Sequence, residues 1–221
     1  MHRLITLVAA TAFVALMGAA MFLLAGTTNA PAIWLYLAIR VGFNAACVLA
    51  MSEDVARERL KPGPGAKAEP VYNIGTGIAW VAHILLACLD LGRFGWSAGF
   101  PTWLQVLGVL GTLGGMGLVV WALRHNEFLS GRIRIQAERG QHVVDSGPYA
   151  IIRHPNNAGG CLIGLCSGLV LTSWASIPPI LIYVWLTAWR TLNEERVLFA
   201  ELPGYPEYAQ RVRYRFVPGV W

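Results

Sequence analysis

The stretch from Gly147 to Gly160, GPYAIIRHPNNAGG, sets Arg153 beside His154 in a polar loop that runs straight into apolar sequence. Further on, Arg190 and Glu194 stand one helical turn apart, with Glu195 next to them and Tyr205 and Tyr208 following. His142 and Tyr149 lie just upstream of the loop's arginine and histidine. A cationic group, carboxylates, amides and aromatic rings together suit a zwitterionic ligand with a positively charged centre, because ring faces attract cations and a carboxylate pairs with an ammonium. The four cysteines, Cys47, Cys88, Cys161 and Cys166, sit in apolar segments with no C-x-x-C pair and no histidine at ligand spacing. They read as buried free thiols, so neither a metal site nor a disulfide framework is signalled.

The elements that must position these residues are membrane helices. Hydrophobic residues make up 56% of the chain and charged ones 13%, against roughly 45–50% and about 25% in soluble domains. The expected fold is all-α: a polytopic integral membrane helix bundle forming a single domain over 1–221, with four N-terminal spanning helices in 1–123 and a loop, a helical hairpin and a tail in 124–221. Leu4 to Gly26 forms the first span, its length favouring a retained helix over a cleaved signal peptide. Pro31 to Met51 forms the second, Ile74 to Leu91 the third and Pro101 to Leu123 the fourth. Ser52 to Asn73 reads as a charged loop whose Pro62–Gly65 run stops any helix. Gly108, Gly111, Gly114, Gly115 and Gly117 let the fourth helix approach a neighbour closely. Arg40 and Asn44 share one helix face at i and i+4 and read either as the polar wall of a cavity or as an interhelical hydrogen bond. His83, alone on an apolar face, reads as a hydrogen-bonded bundle residue.

From Asn157 to Trp189 the chain is apolar for longer than one span of about 30 Å needs. Ser176 as an N-cap followed by Pro178 and Pro179 marks the break, giving antiparallel arms over about 158–173 and 177–200. Six crossings with a cytoplasmic N-terminus place fifteen Lys and Arg on the inner side against one on the outer, a strong positive-inside bias. The basic excess therefore reads as topology, with no nucleic-acid partner. The 124–158 loop and the C-terminal tail then meet at one cytoplasmic face, the arrangement of a bacterial inner-membrane protein with both termini inside.

GPYAIIRHPNNAGG, the apolar hairpin, NEERVLF and the tail GYPEYAQRVRYRFVPG together resemble the isoprenylcysteine carboxyl methyltransferase family and the related membrane phospholipid methyltransferases. NEFLSGRIRIQAERGQHVV upstream is similar to a segment of bacterial members. The resemblance covers about 124–218 and implies methyl transfer from S-adenosylmethionine to a lipophilic small-molecule or lipidated acceptor drawn from the membrane. By position it implies cofactor contacts from Gln136, His142, Val143, Val144, Tyr149, His154, Pro155, Asn156, Asn157 and Glu194, and a substrate-binding role for Arg190. One departure stands out: the family usually reads R-H-P-x-Y-x-G, and here the Tyr position is Asn157, with Gly159 retained.

The chemistry then follows from the acceptor. A carboxylate nucleophile needs no general base at neutral pH, and Arg190 orients it; an amine or thiol must lose a proton, for which His154 and Glu194 are the candidate bases. Prenylated-cysteine carboxylates, phospholipid amines and small thiols all fall within the family's range. The reading of another class is a non-enzymatic transporter or lipid-binding subunit; against transport, the chain has no internal repeat and its ionisable residues cluster at one face.

Overall fold

A computed structural model describes residues 2–221. It contains α1 (His2–Ala25), α2 (Pro31–Ala50), α3 (Glu53–Leu60), α4 (Pro70–Leu89), α5 (Thr102–His125), α6 (Pro155–Val170), α7 (Ile177–Glu201) and α8 (Tyr205–Arg211), with no strand among the described residues. Four helices are long and apolar enough to cross a membrane: α1, α2, α5, and α4 together with its π-helical continuation to Phe94. Their outward faces carry Leu16, Leu23, Leu49, Val81 and Leu110, surface that lipid tails solvate as readily as another helix would.

Two apolar clusters fill the bundle at different levels. One gathers Met21, Ile33, Tyr36, Cys88 and Leu171, and the other Met51, Val55, Leu123, Tyr149 and Ile163. The second brings loop and α3 residues against the ends of α2, α5 and α6, so the polar loop rests on packed helix ends. All four cysteines are free, Cys88 and Cys161 buried and Cys47 and Cys166 half-buried, and no cluster of metal-ligating side chains occurs among the described residues.

The charged segment after α2 differs from the expected loop, since its first eight residues form α3. The local cause is legible: the Ser52 hydroxyl accepts the Val55 N–H at 3.2 Å, Glu53 and Asp54 occupy the first turn, and Arg57 and Arg59 the last. Such a helix is capped at its start and charged to complement its dipole at both ends. The chain leaves it through Pro62–Gly65, where the expected stop falls.

The close approach expected from the glycines of α5 is made to α6. A Cβ on Gly159 would stand 2.7 Å from the Gly115 carbonyl, and one on Gly108 would stand 2.6 Å from Leu169 Cβ. Gly114 and Gly117 face open space instead. This contact fixes the level of the α6 N-terminus, and hence of Asn156 and Asn157, against α5.

The break between α6 and α7 falls at Leu171–Ser176, and the two prolines enter the first turn of α7. Ser176 occupies the N-cap position but its hydroxyl donates to the Ser173 carbonyl at 2.8 Å, while its own carbonyl accepts the His83 ring N–H at 2.8 Å. The other ring nitrogen lies 3.0 Å from the Ser167 hydroxyl. His83 is thus a hydrogen-bonded residue pinning the hairpin to α4. Beside it the buried Asp90 carboxylate accepts the Ser97 N–H at 2.8 Å and the Ser173 hydroxyl at 2.6 Å. Asp90 continues α4 as a π-turn rather than ending it, which carries the third apolar segment past its expected limit.

Candidate active site

The 126–154 segment has little regular structure, so side chains must hold its shape. Arg134 does most of this: its Nε donates to Glu58 Oε1 at 2.8 Å and its Nη2 to Oε2 at 2.9 Å, a bidentate pair with both side chains over nine-tenths buried. The Ser130 hydroxyl donates to the same carboxylate at 3.0 Å, and a further guanidinium nitrogen donates to the Pro64 carbonyl at 3.1 Å. The guanidinium holds the Glu58 carboxyl below its ordinary value. The loop is thereby clamped to α3, the helix that the composition of 52–73 concealed.

Gly147 begins the turn that leads to Arg153 with φ +58°, and a Cβ there would stand 2.4 Å from the His125 ring; only glycine meets both conditions without strain. The turn delivers Tyr149, whose hydroxyl accepts from the Asn126 amide at 3.1 Å and whose carbonyl accepts the Tyr208 hydroxyl at 2.8 Å. Burial pushes the Tyr149, Tyr205 and Tyr208 phenols well above their usual range, so all three remain neutral donors.

Beneath the loop, Glu195 gathers the cations. Its Oε1 accepts Arg153 Nε at 2.6 Å and lies 3.2 Å from His154 Nε2, and its Oε2 accepts Arg215 Nε at 2.7 Å. The C-terminal tail completes the arrangement, since the Tyr214 and Arg215 carbonyls accept the backbone N–H groups of Arg153 and His154 at 2.9 and 3.1 Å. The two adjacent glutamates therefore differ: Glu195 is buried and saturated, whereas the Glu194 carboxylate, among the described residues, pairs only with Arg190, at 3.3 Å, and faces a cavity.

That cavity, about 220 Å³, lies between the loop, the ends of α6 and α7, and α8. His142, Val143, Val144, Tyr149, His154, Asn156, Asn157, Arg190 and Glu194 all line it, together with Arg153, Tyr205 and Tyr208. Gln136 and Pro155 do not: Gln136 is buried behind the wall, donating to the Phe128 carbonyl and accepting from Arg139, and Pro155 opens α6. Asn157 donates to the Thr191 hydroxyl at 3.1 Å, so the amide at the family's Tyr position ties α6 to α7. Arg190 lies between two carboxylates, with Nε 3.1 Å from Glu69 and Nη1 3.3 Å from Glu194, and its guanidinium sits 5.0 Å over the Tyr72 ring.

Sequence reasoning missed Glu69, Tyr72, Asn126 and Arg215. Asn126 carries a signal, an amide directly after an apolar helix, and Arg215 lies in a tail already marked as basic. Glu69 and Tyr72 carry none, because they reach the site only through the way α4 packs on α7.

The donor set fits S-adenosylmethionine. Glu194 has acceptor capacity left for an ammonium or sulfonium, Arg132 lines the cavity without an ion pair among the described residues, and Val143, Val144, Leu198 and Leu202 offer an apolar slot beside the amides of Asn126 and Asn156. A second cavity adjoins this one, with Tyr72, Asn156 and Asn157 lining both.

Residues 103–201 match the phospholipid methyltransferase family. No curated protein matches the chain by sequence. Among solved structures, the eukaryotic intramembrane Ras methyltransferase, isoprenylcysteine carboxyl methyltransferase, superposes with a TM-score of 0.62 at 18% identity, over 95% of this chain and 75% of that one. The chain is thus a membrane protein whose α5 to α7 are similar to the phospholipid methyltransferase family and whose fold is that of isoprenylcysteine carboxyl methyltransferase.

Proposed function

We propose that the protein is an integral membrane methyltransferase that uses S-adenosylmethionine and acts on a lipophilic acceptor, in the manner of a protein-S-isoprenylcysteine O-methyltransferase. The observation that carries this reading is the cavity in which Glu194, Arg190, His142, Tyr149 and the first turn of α6 converge, next to a second cavity that reaches down between the helices. In this reading α6 and α7 are the last two of six crossings, and the site lies at the cytoplasmic face.

The cofactor supplies an electrophilic sulfonium methyl, so the chain's task is binding, orientation and exclusion of water. Glu194 would meet the cofactor's positive charge, and the neutral Tyr149 phenol, which accepts from Asn126, would have its proton to donate, while the Tyr205 and Tyr208 hydroxyls are spent on Glu195 and the Tyr149 carbonyl and hold the frame of the site. Arg190, held in place by Glu69 and stacked over Tyr72, orients an acceptor carboxylate, which needs no base. The family match favours a second acceptor, a phospholipid amine. For that acceptor a base is required, and Glu194 takes the role, because His154 Nε2 is already engaged by Glu195.

The test is S-adenosylmethionine binding and single-turnover methylation by purified protein in nanodiscs. Arg190→Ala should abolish turnover and leave cofactor affinity within about threefold, a change below 1 kcal/mol. Loss of both together would remove Arg190 from the acceptor side, and absence of saturable cofactor binding by the wild type would sink the reading as a whole.

A further inference from the structure

The second cavity, about 480 Å³, has a lining whose charge is unbalanced. Arg40, Asn44, Cys47 and Met51 run along one face of α2 into it, and Arg59 of α3 joins them at its upper end. No aspartate or glutamate lines it. Arg40 is the tenth of the twenty residues of α2, so at about 1.5 Å per residue its Cα stands about 15 Å from either end of the span. A guanidinium at that depth is costly unless an anion or polar cavity receives it.

Within the protein nothing does. Among the described residues Arg40 takes part in no ion pair or hydrogen bond, its Nε is buried without a partner, and its nearest aromatic contact is the Phe43 ring at 5.8 Å. Among the described residues Arg59 forms no ion pair either, although Arg57, two residues before it, pairs with Asp54. Both arginines line the cavity together with Cys47 and Asn44. Ala10, Phe43, Val48, Val119, Ile163 and Trp80 give the cavity apolar walls, interrupted by the hydroxyls of Thr6, Tyr183 and Thr187.

We propose that this cavity is a binding site for an amphiphile with an acidic head group, whose phosphate or carboxylate lies between Arg40 and Arg59 with the Asn44 amide as a further donor. The acceptor class of the transferase follows: a lipid whose acidic group, held here, is separate from the group methylated beside Arg190, docked where Tyr72, Asn156 and Asn157 open onto the cofactor cavity. This last step rests on the methyltransferase reading; the binding site itself does not.

The experiment is equilibrium binding to the full chain in nanodiscs of zwitterionic lipid, with dioleoyl phosphatidic acid, oleic acid and uncharged diolein as probes, and S-adenosylmethionine measured in parallel. The wild type should bind one or both acidic probes at least about tenfold more tightly than diolein, a difference of about 1.4 kcal/mol; the stronger of the two tells whether phosphate or carboxylate is preferred. Arg40→Gln and Arg59→Gln should each erase that preference, Arg40→Lys should restore part of it, and all three should keep cofactor affinity. Equal binding of charged and uncharged probes, or a preference that survives both glutamine variants, overturns the proposal. If a glutamine variant loses its thermal transition, the wild-type probe comparison and Arg40→Lys still decide the matter. Probe discrimination without cofactor binding would keep this site and remove the transferase, and the reverse result would do the opposite.

Discussion

At the scale of single residues, the site depends on neighbours with different duties. Glu195 pairs with Arg153 and Arg215 and holds the His154 ring by a hydrogen bond in a buried setting. Its replacement by Ala leaves buried cations unpaired, a loss of about 3–5 kcal/mol for such a break, so Glu195→Ala should lower the thermal transition of the purified protein sharply. Glu194→Ala should leave that transition nearly unchanged and weaken S-adenosylmethionine binding at least about tenfold, as expected for a lost charge-assisted contact. Equal melting losses in the two variants would show that the pair is not divided in this way. The pair Glu58 and Arg134 sets an acid limit. Because Arg134 holds the Glu58 carboxyl below its ordinary value of 4.5, its stabilisation is complete above that value and is lost as pH falls through the lowered one. Thermal transitions recorded from pH 7 downward should drop below about pH 4.5, and Glu58→Gln should flatten that part of the curve. The residue types that gather around the cavity were legible in the sequence, because loops at helix ends concentrate polar side chains. Which glutamate faces the ligand was not legible, since adjacent positions on a helix differ by about 100° and only the packing of α7 decides which one is buried.

Among the elements, the α5–α6 contact sets the height of the site. Gly159→Leu pushes a side chain into the Gly115 carbonyl, and overpacking of this kind costs about 1–3 kcal/mol. It should also displace Asn156 and Asn157 and so weaken cofactor binding, whereas Gly117→Leu, placed in open space, should do neither; melting and binding of the two variants settle the comparison. The sequence disclosed that α5 approaches a neighbour closely, but not that the neighbour is α6, because glycine spacing specifies a face and not its partner. It likewise disclosed the hairpin through Ser176 and the prolines. It concealed α3, since eight residues with no apolar periodicity leave only capping and charge placement as signals.

For the whole molecule, the charged segments meet at one end. Lys67 of the linker lies 4.0 Å from Glu201, its N–H donates to the Ile133 carbonyl, and Glu69 pairs with Arg190. Single cysteines introduced at Lys67, Gln141 and Glu207 into a chain freed of its own four should all react with a membrane-impermeant maleimide from the same side, the cytoplasmic one if six crossings are correct. A label at Ala98, in the turn after Phe94, should react from the other side. Mixed accessibility among the first three would contradict the gathering of linker, loop and tail, and all three reacting from outside would reverse the orientation while leaving the fold intact.

The two pins at the far end of the bundle, His83 with Ser176 and Asp90 with Ser173, also bear on how the chain is made. During synthesis α4 and its π-turn leave the ribosome before the hairpin, so the partners that receive the hairpin's tip are already lodged in the bilayer when α6 and α7 arrive. With sixteen residues, α6 is short for an independent crossing, and its polar tip would otherwise enter hydrocarbon bare. The order of the helices along the chain is thus also an order of biogenesis, in which the early helices act as an internal receptor for the late ones.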